Sequence, residues 1–150
     1  MLGLEMGPAT PAEAARIAEV HMAAFGDNAL LRAQFPTPVV REALQKCIEL
    51  KALADIQDPK TTVLVVRDPK AGSRVIAFAK WSHPVEEGED YTEPPWIWPE
   101  GTDLDVLGKW TAEVEMALQK VLGTAPCYRK LDFPFVFSKL SYDKGICVPW

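Results

Sequence analysis

Two apolar runs joined by a short turn constrain this chain more than any other feature. Thr62-Val63-Leu64-Val65-Val66 is rich in β-branched residues, Asp68-Pro69-Lys70-Ala71-Gly72-Ser73 is a cluster of turn formers, and Val75-Ile76-Ala77-Phe78-Ala79-Lys80-Trp81 is a second apolar run. The pattern predicts an antiparallel hairpin, because a connection this short has no room for a crossover. The first strand is apolar throughout and is expected to be central. The second places Lys80 among apolar neighbours, so a partly wet face is expected there.

Helical patterns flank the hairpin. Thr10-Pro11-Ala12-Glu13 combines an N-cap hydroxyl, a proline at the first helical position and a glutamate three residues on. Ala14, Ile17, Ala18, His21 and Ala24/Phe25 then recur at helical spacing as far as Gly26, and Leu2 to Met6 reads as a short strand before them. A second helix opens at Thr37-Pro38 and runs to Gln57, with Val40, Ala43, Leu44, Cys47 and Ala54 on one stripe. A third is capped by Thr102 or Asp103 and carries Leu104, Leu107, Trp110, Val114, Leu118 and Val121 to Gly123; its stripe is expected to pack on a sheet. Residues 84–101, with Glu86, Glu87, Glu89, Asp90 and Glu93 before Pro94-Pro95-Trp96-Ile97-Trp98-Pro99, read as a long surface loop. Cys127-Tyr128 and Leu131 to Phe133 read as a further strand, with Phe135 and Phe137 in phase and Pro134 marking its end or an edge.

The chain of 150 residues is 48% hydrophobic and 25% charged, which suits a single domain of α/β (α+β) class with one core. Its net charge of -5 and scattered basic residues argue against nucleic acid as a partner. The opening residues carry no basic and apolar leader, and no apolar run reaches membrane-spanning length, so a cytoplasmic location and no membrane partner are expected. Three widely spaced cysteines, Cys47, Cys127 and Cys147, suggest neither a disulfide framework nor a metal site.

The order strand, helix, helix, strand, strand, long insert, helix, strand resembles the GNAT superfamily of N-acetyltransferases, in detail its fungal members. The resemblance is carried by Met6-Gly7-Pro8-Ala9-Thr10-Pro11-Ala12-Glu13, the Ala24-Phe25 helix end, the hairpin Val63 to Trp81 and Trp81-Ser82-His83-Pro84, and it extends to Cys127. It implies a partial GNAT-like mixed sheet with three main helices packed on it. It also implies acetyl-CoA as cosubstrate and an amine-bearing small molecule or protein as acceptor, the amine attacking the thioester carbonyl directly. Phe25, Asn28, Phe35, Trp81 and His83 would lie on the acceptor side, while Leu131, Phe133 and Gly145 would lie on the cofactor side. No catalytic residue is assigned.

In that family a Q/R-x-x-G-x-G/A loop brings backbone N–H groups to the pyrophosphate at a helix N-terminus, where glycine allows close approach and the dipole favours negative charge. The nearest segment here, Tyr142-Asp143-Lys144-Gly145-Ile146-Cys147, keeps only the first glycine, sets Asp143 beside the phosphates and is followed by Pro149. Residues 130–150 are therefore expected to be an atypical tail to an incomplete domain with weak or absent activity. The alternative is a non-catalytic binding module, or a homodimer formed through an unpaired sheet edge.

Several residues keep two readings. His21 is a packed core histidine or a base; His83 is a plain loop residue or faces the acceptor. Phe25, Asn28 and Phe35 are helix-junction packing or substrate contacts. The run Glu86 to Glu93 is a solvated loop or attracts a cationic amine, and Trp96 and Trp98 pack on the core or cover a pocket.

Overall fold

The computed structural model describes residues 3–86, 88–123 and 129–130. The elements run β1 (Glu5–Pro8), a 3-10 turn (Pro11–Glu13), α1 (Ala14–Phe25), α2 (Ala29–Gln34), α3 (Pro38–Gln57), β2 (Thr61–Asp68), β3 (Arg74–Ser82), α4 (Leu104–Leu122) and β4 (Arg129–Lys130). This is a mixed α/β fold. The four strands among the described residues lie in the order β1-β2-β3-β4 with every neighbouring pair antiparallel. The first strand thus sits at Glu5–Pro8 rather than at Leu2–Met6, because Met6 and Gly7 pair with Val66 and Val65.

The helix starts follow their caps. Glu13 accepts hydrogen bonds from the Thr10 backbone N–H at 2.7 Å and hydroxyl at 3.0 Å, Thr37 Oγ1 accepts from Val40 N–H, and Asp103 Oδ1 accepts from Val106 N–H. The short helix α2 was not anticipated; Asn28 nucleates it by accepting from Leu30 and Leu31 N–H. At the hairpin turn Gly72 takes φ +68, a left-handed conformation that glycine adopts without a steric penalty.

β2 and β3 are in register from Thr61↔Ser82 to Val66↔Ala77, and the register then shifts so that Arg67 faces Val75. The extra residue is Ile76. Because side chains alternate faces along a strand, this bulge returns Val75 to the face that carries Phe78 and Lys80, and leaves Ile76 exposed. Arg16 of α1 fastens the site by donating from Nε to the Val75 carbonyl at 2.9 Å.

Among the described residues two apolar clusters form the core. One joins helices to sheet through Ala14, Ile17, Ala52, Val63, Val65 and Val75. The other joins helix to helix through Ala18, Leu31, Phe35, Leu44, Ile48 and Leu107, with Trp96, Trp98 and Trp110 packed against it. α3 serves both clusters, and its buried stripe is Val40, Leu44, Ile48, Lys51, Ala52 and Asp55. Ala43, expected on that stripe, is exposed. Among the described residues α4 docks chiefly on α2 through Leu107 rather than on the described strands, while Leu104, Met116 and Val121 stay exposed.

At the far end of the sheet Arg67 grips Glu13 with Nε–Oε1 at 2.6 Å and Nη2–Oε2 at 2.7 Å. These bonds hold the Glu13 carboxyl down at about 2, against an ordinary 4.5. The two side chains are 20% and 18% exposed and still reach solvent, so Arg67→Met is expected to lower the urea midpoint only modestly at neutral pH. Glu13 is depressed, so its contribution is complete above pH 4.5 and is lost as pH falls toward 2. The wild-type advantage over the variant should shrink across that window.

Candidate functional site: an aromatic cleft backed by buried charges

Lys80 corrects the sequence expectation most sharply. It does not lie on a wet face; it is 5% exposed and donates to Asp55 Oδ2 at 2.8 Å. Lys51, one helical turn before Asp55 on α3, donates to Oδ1 at 2.5 Å. The carboxylate itself is 1% exposed, so one buried acid holds two buried ammonium groups. Glu93 adds a second negative charge from the loop, 3.5 Å from Lys51.

Both ammonium groups also lie over the Trp96 ring, at 5.9 and 6.0 Å from its centroid. Trp96 stacks on Trp98 at 5.0 Å with the planes only 8° apart, and Trp98 meets Phe35 at 6.1 Å. A column of rings thus runs from the helical core to the charges. The loop is tied at further points: Lys60 pairs with Glu89 at 2.5 Å, and the Tyr91 hydroxyl donates to Asp58. Its acidic residues are therefore partly neutralised by lysines of the same chain, and the Lys60 ammonium holds the Glu89 carboxyl below its ordinary range. Residues 84–101 form a strap whose tryptophans pack on the core.

Between this strap and α4 lies a cleft of about 460 Å³, lined by Trp96 and Trp98 on one side and by Leu107, Gly108, Ala112 and Glu115 on the other. The turn into α4 needs Gly101, which has φ +86 and would carry a Cβ 2.8 Å from Val40 Cγ2. Periodicity read α4 as an amphipathic helix but could not reveal this cleft, because the strap that forms its other wall has no periodic signal.

The acceptor-side residues named from sequence are spread through the fold. Phe35 is fully buried core. Phe25 packs against the same cluster and lies 5.1 Å from His21. The Asn28 carbonyl is occupied in capping α2. Trp81 is half-buried near the end of β3, and His83 just beyond it makes a 2.7 Å hydrogen bond between Nε2 and Thr62 Oγ1. Leu131, Phe133 and Gly145, with Cys127 and Cys147, lie outside the described residues.

His21 is 3% exposed, next to Phe25 and Phe78, and its Nε2 has no hydrogen-bond partner among the described residues. Burial, helped by the nearby Lys80 charge, pushes it down to about 4 and so keeps it neutral. Cys47 is half-buried and its thiol is pushed up by burial, which makes it a poor nucleophile. No group of three His, Cys, Asp or Glu among the described residues can hold a metal ion, and no described helix is long and apolar enough to cross a membrane.

The described helix starts do not suit the phosphates of acetyl-CoA. α4 opens with Asp103 and Asp105, α1 follows Glu13, and α3 follows Thr37 without a glycine-rich loop. Comparison of the chain with protein-family models, with curated proteins and with solved structures finds no match.

Proposed function

We propose that this chain is a GNAT-like acyltransferase domain, descended from enzymes that transfer acetyl from acetyl-CoA to an amine, with weak or no activity of its own. The observation that supports this most is the order of elements: β1, helices, the β2–β3 hairpin, the long insert, α4 and β4, in an antiparallel β1-β2-β3-β4 sheet. The weak activity is supported by the acidic start of α4, where Asp103 and Asp105 disfavour a pyrophosphate.

The test is calorimetric titration with acetyl-CoA, read alongside labelled-acetyl transfer to a panel of primary amines. Millimolar binding with slow transfer supports the reading. Micromolar affinity would overturn its second half. Absence of both binding and transfer would favour the other reading, a binding module of the same fold, which the strap cleft supports. Self-association through a sheet edge belongs to that second reading, and size-exclusion chromatography would report it.

A further inference from the structure

The cleft between the strap and α4 is built to stay open. Its aromatic wall is fixed from behind: Phe35 anchors one end of the ring column, and the Lys51 and Lys80 ammonium groups, held by the buried Asp55, back the other. The opposite wall is anchored because Leu107 is part of the core. A ligand entering such a site orders little that is not already ordered, and its volume of about 460 Å³ falls in the range of small-molecule pockets. Gly108 sits in the α4 wall although glycine in a helix interior costs about 1 kcal/mol relative to alanine. No close packing demands it, since a Cβ there would meet nothing within 4 Å. Gly108 and the small Ala112 leave the space in front of the indoles free.

The charge of the occupant is set by Glu115. Among the described residues it is the single ionisable one lining the cleft, it is half-buried, and it takes part in no ion pair. With their faces taken up in the ring column, Trp96 and Trp98 give the cleft an apolar wall, so Glu115 supplies its charge, and the net charge of -5 disfavours anions. We propose that this cleft binds a small organic cation, with its aromatic or branched apolar body against Trp96 and Trp98 and its ammonium group toward Glu115. The inference goes beyond the transferase reading, because it requires neither acetyl-CoA nor a nitrogen that can be acylated.

Benzyltrimethylammonium, which has no N–H, is the probe, titrated calorimetrically into the full chain without acetyl-CoA; phenylacetate and benzyl alcohol are the anionic and neutral comparisons. The cation is expected to bind about tenfold or more tighter than phenylacetate, which Glu115 repels, and Glu115→Gln to weaken it about threefold or more. Gly108→Leu fills the open space with a better helix former, so it should abolish binding while leaving the melting temperature unchanged or higher. Equal binding of cation and anion, or wild-type affinity in Gly108→Leu, would overturn the proposal. Failure of acetyl-CoA to bind would bear on the transferase reading and leave this result untouched.

Discussion

Replacing Asp55 by Asn is expected to destabilise the domain by about 3–5 kcal/mol, the largest loss from any single change considered. The substitution leaves two ammonium groups, on side chains 3% and 6% exposed, without the carboxylate that both contact. An isolated buried charge loses most of its hydration and gains no compensating partner, whereas Glu93 sits on one side only, 3.5 Å from Lys51. Against a typical total stability of roughly 5–15 kcal/mol, such a loss brings the domain close to unfolding. Lys51→Met should cost far less, since Lys80 and Asp55 still pair. The triple replacement Lys51→Met, Asp55→Leu, Lys80→Met should return much of the stability, because well-packed apolar residues often match a buried ion cluster. Urea denaturation of the three variants decides the matter, and an Asp55→Asn loss below about 1 kcal/mol would refute the role assigned to the carboxylate. Near-ultraviolet circular dichroism should register the same change, because the backing of Trp96 is disturbed together with the charges.

His21 gives the second large effect, as a dependence on pH. Its folded value of about 4 lies below its ordinary 6.5, so between these limits the unfolded chain binds the proton and the folded chain does not. Stability therefore rises with pH through this window: it is complete above 6.5 and falls as pH drops toward 4. At about 1.4 kcal/mol per unit, the loss between pH 7 and pH 5 should be about 2 kcal/mol. His21→Leu should flatten that slope. At pH 7 it should be neutral or slightly stabilising, because it removes the buried Nε2 that lacks a partner. Denaturation midpoints at pH 7 and pH 5 test both statements. A wild type equally stable at the two values would exclude a neutral, buried His21. Glu13 acts in the same direction only lower down, between 4.5 and 2, so the two contributions separate on the pH axis.

Much of the architecture is legible along the chain. Thr10, Thr37 and Asp103 mark helix starts because a side-chain oxygen next to an apolar repeat has a local task that sequence order alone defines. The hairpin is equally local: β-branched runs and a connection with Pro69 at its start and Gly72 at its end specify it whatever surrounds them. The bulge at Ile76 was not legible, since one extra residue leaves an apolar run looking unchanged while reversing which side chains face inward.

The candidate site was the least legible part. Lys51 and Asp55, spaced i and i+4, have the pattern of an exposed helix pair, and Lys80 resembles a charge on a solvated strand face. Each is buried only because the other side supplies its counter-ion. The same holds for Trp96 and Trp98, which sit in an acidic, proline-rich stretch with no period and become a wall once lysines from α3 and β3 close over one of them.

The sequence by itself determined where helices and the central hairpin form, because caps, turns and periodicity act between residues a few positions apart. Only the tertiary structure decided which charges are buried, which face of β3 looks inward past Ile76, and that α4 meets the tryptophan strap across a cleft. Those outcomes depend on partners far away in the chain, and the energy of burying a charge or a ring is fixed by what packs against it rather than by its neighbours in sequence.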